Sequence, residues 1–156
     1  MTTFLLAVSI WLHALATVVL IGQYTLLSLI YLPVFAQQLK GSTLGAMLDG
    51  VAGRARFFIF GALGLFIVTG VVLMFGDANY TGFGDFGNAW SVVMLAKHVL
   101  VLVMIGIGVY IDRGILTRLA EPSTAEAATG SFRRAVSAMM ICGLVVLLLT
   151  AVAQVL

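Results

Sequence analysis

The chain has 156 residues, 62% of them hydrophobic and 9% charged, with a formal net charge of +2. Soluble domains carry charged residues at about a quarter of their positions, so this composition excludes a water-soluble globular protein and indicates a membrane protein. The basic residues are scattered rather than gathered in one patch, which argues against a nucleic acid partner.

Four apolar stretches are long enough to cross a bilayer as helices, and an open sheet would leave backbone groups unpaired in hydrocarbon. We therefore predict an all-α fold, a single transmembrane domain built as an up-down-up-down four-helix bundle. The predicted spans are residues 4–36, 57–76, 90–112 and 135–155. The first exceeds what a hydrocarbon core of about 30 Å requires, so we expect it to tilt or project, with Pro33 marking or kinking its far end.

The connectors differ in charge. The connectors after the first and third spans, 37–56 and 113–134, hold seven of the eight basic residues: Lys40, Arg54, Arg56, Arg113, Arg118, Arg133 and Arg134. The loop FGDANYTGFGDFGNAW between the second and third spans has no lysine or arginine. The positive-inside rule then predicts cytoplasmic basic connectors and extracytoplasmic termini, and we expect the bacterial inner (plasma) membrane as the location.

Two local features of the basic connectors are also predicted. Thr43–Val51 is expected to form a short interfacial helix between the first and second spans. Asp112, at the end of the third span, is expected to pair at the interface with Arg113 or Arg118, which follow it closely.

Three ionisable side chains lie within the predicted spans, where burial of such groups is costly and marks a candidate functional site. His13 is nine residues inside the first span and His98 is eight residues inside the third, depths of roughly 14 and 12 Å at the helical rise. Lys97 shares their level. A polar seam at helical spacing on the first helix should face the bundle interior; it comprises Ser9, His13, Thr17, Tyr24, Ser28 and Tyr31.

Two facing imidazoles in a helix bundle form a simple site for haem b, because histidine is a common axial ligand and an apolar bundle shields the porphyrin. The leading hypothesis is therefore a haem b-binding membrane protein with a redox or electron-transfer role, the haem being ligated between the first and third spans. His13 and His98 would be the axial ligands, and Lys97 a partner of a propionate or a substrate. A redox partner or a quinone would complete such a system.

Copper binding by residues at the same depth in the bundle is the alternative hypothesis. His13, His98 and Met94, with Met74 nearby in depth, offer imidazole and thioether groups, which suit copper. A third hypothesis is a structural subunit of a larger membrane complex or a homodimer, in which the histidines only form hydrogen bonds between helices.

Several stretches resemble a known family. His13, Gly22 and Pro33 are similar to the first span of the copper-resistance-D-like (CopD-like) membrane proteins. RARFFIFGALGLFIVTGVVLM resembles their second span, with basic residues leading to the pair Thr69–Gly70. MLAKHVLVLVMIGIGVYIDR resembles their third span, with Lys97 and a terminal basic residue.

The histidine on the first helix and the lysine on the third are also similar to the HemJ-type protoporphyrinogen oxidases, which bind haem b. The chain departs from that group because Tyr31-Leu32-Pro33 lies farther from His13 and is followed by Val34 instead of arginine. It departs from both groups in having His98 after the lysine, where an apolar residue is usual. The resemblance implies a four-helix membrane protein linked to haem or copper.

Overall fold

The structure is a computed structural model that describes residues 3–39, 41–82 and 84–156; Lys40 lies outside the described residues. All regular elements in these ranges are helical, which confirms the all-α prediction. The helices are α1 (Thr3–Leu26), α2 (Leu32–Gln38), α3 (Gly41–Gly76), α4 (Ala89–Tyr110), α5 (Leu116–Ala120) and α6 (Ala125–Ala153).

Two short π-helical segments join neighbouring α-helices into longer continuous helical units. Leu27–Tyr31 joins α1 to α2, and Ile111–Ile115 joins α4 to α5. Four units are long and apolar enough to span a membrane, as predicted. They are Thr3–Gln38, Ser42–Gly76, Ala89–Leu119 and Ala125–Ala153.

The helices extend past the predicted spans, mostly at the ends that carry the arginines. α3 is continuous from Gly41, so the stretch Thr43–Val51 is the beginning of a spanning helix and not a separate interfacial one. Pro33 does not end the first helix, which runs to Gln38. A proline lacks an N–H and disturbs the preceding turn, and here the turn before it is π-helical, so the chain absorbs that disturbance without a break.

The packing of the helices leaves the bundle open on one side, between α3 and α4. α1 packs along α3 and against α6, and α4 packs against α6. Ile21 lies against Gly143, and the Ser28 and Ser137 hydroxyl oxygens are 3.1 Å apart, so α1 and α6 run antiparallel. Within the described residues, α3 and α4 share no comparable interface. The space between them is called the α3–α4 gap below.

The core is concentrated at one end of the bundle. This basic end carries Arg54, Arg56, Arg113, Arg118, Arg133 and Arg134, and the opposite, loop end carries residues 77–88. The largest fully buried side chains all lie toward the basic end; they are Phe132, Leu48, Ile115, Leu119 and Val136. Glycine at position 45 permits this packing, because a Cβ there would lie 2.5 Å from the Leu119 carbonyl oxygen.

The loop end is held by polar groups of the loop itself. The Asn88 side chain caps α4 by accepting a hydrogen bond from the Ser91 backbone N–H at 2.7 Å, and it donates to the Asn79 carbonyl at 3.0 Å. Gly82 and Gly84 have φ values of 139° and 84°, which only glycine adopts easily. The loop therefore sets where α4 begins.

Candidate functional site

His13 is bound to α3 by a hydrogen bond whose direction can be derived. Its Nδ1 lies 2.9 Å from the Thr69 hydroxyl oxygen. The Thr69 hydroxyl donates its one proton to the Leu65 carbonyl at 2.7 Å, so it must accept from His13. Nδ1 therefore carries a proton, and in the neutral ring Nε2 keeps its lone pair.

The imidazole is fixed between two features of α3. It stacks on Phe66, with ring centroids 4.3 Å apart and planes inclined by 24°. Its edge lies over Gly70, where a Cβ would be 3.2 Å from the His13 Cε1 atom. The ring therefore has a defined orientation, because a larger residue at position 70 would push it away.

The Nε2 atom of His13 is the ring nitrogen that the bond to Thr69 does not use. The bond to Thr69 is made through Nδ1, and the Phe66 backbone is a second polar neighbour of the ring. A ring nitrogen that keeps its lone pair is a potential metal ligand.

His98 has a different environment and the same available nitrogen. Its side chain is exposed, and its Nδ1 lies 2.6 Å from the Met94 carbonyl oxygen in its own helix. A carbonyl can only accept, so Nδ1 donates and Nε2 is again the free nitrogen. The described contacts of His98 stay within α4, whereas those of His13 join α1 to α3, and α1 and α4 share no extended interface in the described chain.

The other two predicted site residues lie on α4. The Lys97 side chain is half-buried, and its charge is within electrostatic range of the His13 ring. Met94 is half-buried one turn before His98. The structure gives His13 two partners on α3 that depth alone did not identify, Phe66 and Thr69.

A second polar group lies at the basic end. The Arg56 Nε donates to the Asp112 carboxylate at 2.8 Å, joining α3 to the π-helical segment after α4. The prediction that Asp112 pairs with Arg113 or Arg118 is wrong. Residues adjacent on a helix point about 100° apart, so Asp112 faces α3 while the exposed Arg113 points elsewhere.

A cavity of about 140 Å³ has Arg56, Asp112, Thr17 and Phe66 in its lining, with residues of α1, α3, α4 and α6 in its walls. Most of its lining is apolar. The polar side chains in the lining are Thr17, Gln23, Tyr24, Arg56 and Asp112.

The described part of the chain offers few donor groups for a metal ion. It contains no group of three or more histidine, cysteine or acidic side chains that could hold a metal ion. A metal bound here would therefore rely on one or two imidazoles with thioether sulfurs, a donor set that suits copper better than magnesium or calcium.

Comparison with known proteins gave one match. A family model described as copper resistance protein D matches residues 52–153, which is more than half of the chain and contains Thr69, Gly70, Lys97 and His98. No curated protein and no solved structure matched. The resemblance of the second and third spans to the CopD-like family is thereby confirmed, and the match favours copper over haem b. With its four spanning helices, this chain is an integral membrane protein of the copper resistance protein D (CopD) family.

Proposed function

We propose that this protein handles copper in the membrane, binding it as a substrate at the Nε2 atom of His13. One observation carries the proposal: the Thr69 hydroxyl holds the protonated Nδ1, so the lone pair of the neutral ring is on Nε2. Histidines that bind metals nearly always donate their other ring nitrogen to a neighbouring acceptor, which fixes the ring and raises its basicity. The description of the family as copper resistance proteins supplies the choice of metal.

Thioether sulfur is the companion donor in this proposal. Met74 lies four residues after Gly70 on α3, hence on the same face and one turn nearer the loop end. Soft thioethers with imidazole favour copper(I). On α4, His98 and Met94 offer a second imidazole and thioether, with the His98 ring already oriented by the Met94 carbonyl.

Lys97 sets the strength of binding. A positive charge within electrostatic range of His13 opposes the arrival of another cation. Copper at His13 is therefore held less tightly than the ligands alone would hold it, which suits a protein that passes copper on. The positive-inside rule supports an orientation in which this site lies in the extracytoplasmic leaflet.

The test is an anaerobic titration of the detergent-purified protein with copper(I) against a chromogenic chelator. His13→Ala should weaken binding by roughly tenfold or more, the scale on which altered metal coordination acts. His98→Ala is the matched control, and it should have the smaller effect because His98 is exposed and lacks the partners on α3.

Helical circular dichroism of the variants should match that of the unchanged protein. Copper(I) binding that survives His13→Ala at full strength would overturn the assignment. An absorption spectrum of the same preparation reduced with dithionite gives a second check: a b-type α-band abolished by His13→Ala would replace copper with haem b.

A further inference from the structure

The cavity inside the bundle is large enough to hold a ligand. Its volume is about 140 Å³, close to the roughly 150 Å³ of an engineered apolar cavity that binds benzene. Buried side chains close its inner side, among them Leu27, Phe132 and Val136. An empty apolar space of this size forfeits dispersion contacts along its whole lining, so a hydrocarbon that entered it would bind favourably.

The cavity opens sideways. Phe60 of α3 and Val109 of α4 both line it, and their side chains are 54% and 45% exposed. They stand on the two sides of the α3–α4 gap, which no extended helix contact closes among the described residues. In a membrane this gap faces acyl chains, so hydrocarbon reaches the cavity without crossing water.

One end of the opening carries a cation with several hydrogen-bond donors. Arg56 lines the cavity and bonds to Asp112 through Nε. This contact uses one of the five N–H groups of the guanidinium, and the other four are carried by its two terminal nitrogens. A guanidinium group is well matched to phosphate, which it binds through paired N–H groups.

We propose that the cavity and Arg56 together bind one anionic phospholipid of the bilayer. An acyl chain enters through the α3–α4 gap and fills the cavity, and the phosphate of the headgroup lies at the terminal guanidinium nitrogens of Arg56. The surplus of arginines at the basic end favours an anionic headgroup over a zwitterionic one. This inference is independent of copper binding at His13.

Two glycines of α4 provide a matched pair of variants for the cavity. Gly108 lines it, and a Cβ built there meets nothing within 4 Å, so Gly108→Leu places a side chain in the space intended for the lipid. Gly106 has equally open surroundings but does not line the cavity, so Gly106→Leu is the control. Both changes raise helix propensity alike.

The measurement is native mass spectrometry of the detergent-purified protein mixed with phosphatidylglycerol or phosphatidylcholine. The unchanged protein and Gly106→Leu should each retain one phosphatidylglycerol in preference to phosphatidylcholine. Gly108→Leu should lower phosphatidylglycerol binding by roughly tenfold, the loss of a modest part of its affinity. Equal retention by Gly108→Leu and Gly106→Leu would refute the cavity as the lipid site.

The two members of the ion pair test the headgroup contact. Arg56→Gln should abolish the preference for phosphatidylglycerol, whereas Asp112→Asn should strengthen it, because it removes a competing anion and releases the whole guanidinium group. A pair with a merely structural role would make both variants bind less. Loss of preference in both variants would therefore overturn the contact between Arg56 and the phosphate.

Discussion

At the basic end, α3, α5 and α6 enclose Leu48, Leu119 and Phe132 in a dense core, whereas at the loop end the α1–α3 interface holds a half-buried imidazole and a hydroxyl group. Both ends contain a glycine at a close approach. Gly45 faces a backbone carbonyl, and Gly70 faces the ring of His13. Backbone cannot yield without moving a whole helix, but a side chain can turn slightly.

The comparison indicates that the packing that stabilises the bundle and the proposed copper site lie in different halves of it. The packed end holds the helices together, so the other end can keep a polar side chain. Four substitutions test this division, beginning with the one expected to have the largest effect.

Gly45→Ala should destabilise the protein by about 3 kcal/mol, because its Cβ would lie 2.5 Å from the Leu119 carbonyl oxygen. Unfolding in a detergent titration measures the change. Gly50→Ala, in the same helix with nothing within 4 Å, is the control and should be neutral or slightly stabilising. Copper affinity of the folded Gly45→Ala fraction should be unchanged. A drop in that affinity would mean that the two ends are coupled.

Thr69→Val should lower copper(I) affinity by roughly tenfold, because His13 Nδ1 would lose its acceptor and the ring its orientation. Thr69→Ser keeps the hydroxyl group and should retain most of the affinity. Competition titration measures both. If Thr69→Val and Thr69→Ser behave alike, the hydrogen bond does not position His13 for a metal.

Gly70→Ala should cost less than about 1 kcal/mol of stability, since the His13 ring can shift by the few tenths of an ångström that a contact at 3.2 Å demands. The same shift should reduce copper(I) affinity about threefold, a change near 0.7 kcal/mol. Gly64→Ala, on the same helix in open space, should change neither quantity. A stability loss as large as that of Gly45→Ala would contradict the contrast between the two ends.

Lys97→Leu should raise copper(I) affinity, by roughly threefold, because it removes a positive charge within range of His13 without adding a sulfur donor. It should leave unfolding nearly unchanged. Lys97→Arg retains the charge and should bind copper(I) like the unchanged protein. Weaker binding by Lys97→Leu would reverse the assigned sign and indicate that Lys97 assists the ligand instead of opposing it.

Much of the fold could be predicted because each spanning helix follows from its own apolar stretch. Hydrocarbon leaves the backbone no alternative to helical hydrogen bonding, so composition and length determined the number of spans and their approximate limits. The depth of His13, Lys97 and His98 in the membrane stays a prediction, calculated from the constant rise of a helix. A helix over 43–51 was predicted, but its continuity with the second span was not, because the apolar pattern of 41–56 is weak and packing at Gly45 and Leu48 supports it.

The amino-acid sequence by itself therefore determined a four-span membrane protein and its family resemblance. Only the tertiary structure decided which side chains are partners: Thr69 and Phe66 contact His13, and Arg56 pairs with Asp112. It also decided that a gap lies between α3 and α4. The physical reason is that depth is a property of one helix, whereas the rotation of a helix about its axis depends on how its neighbours pack against it.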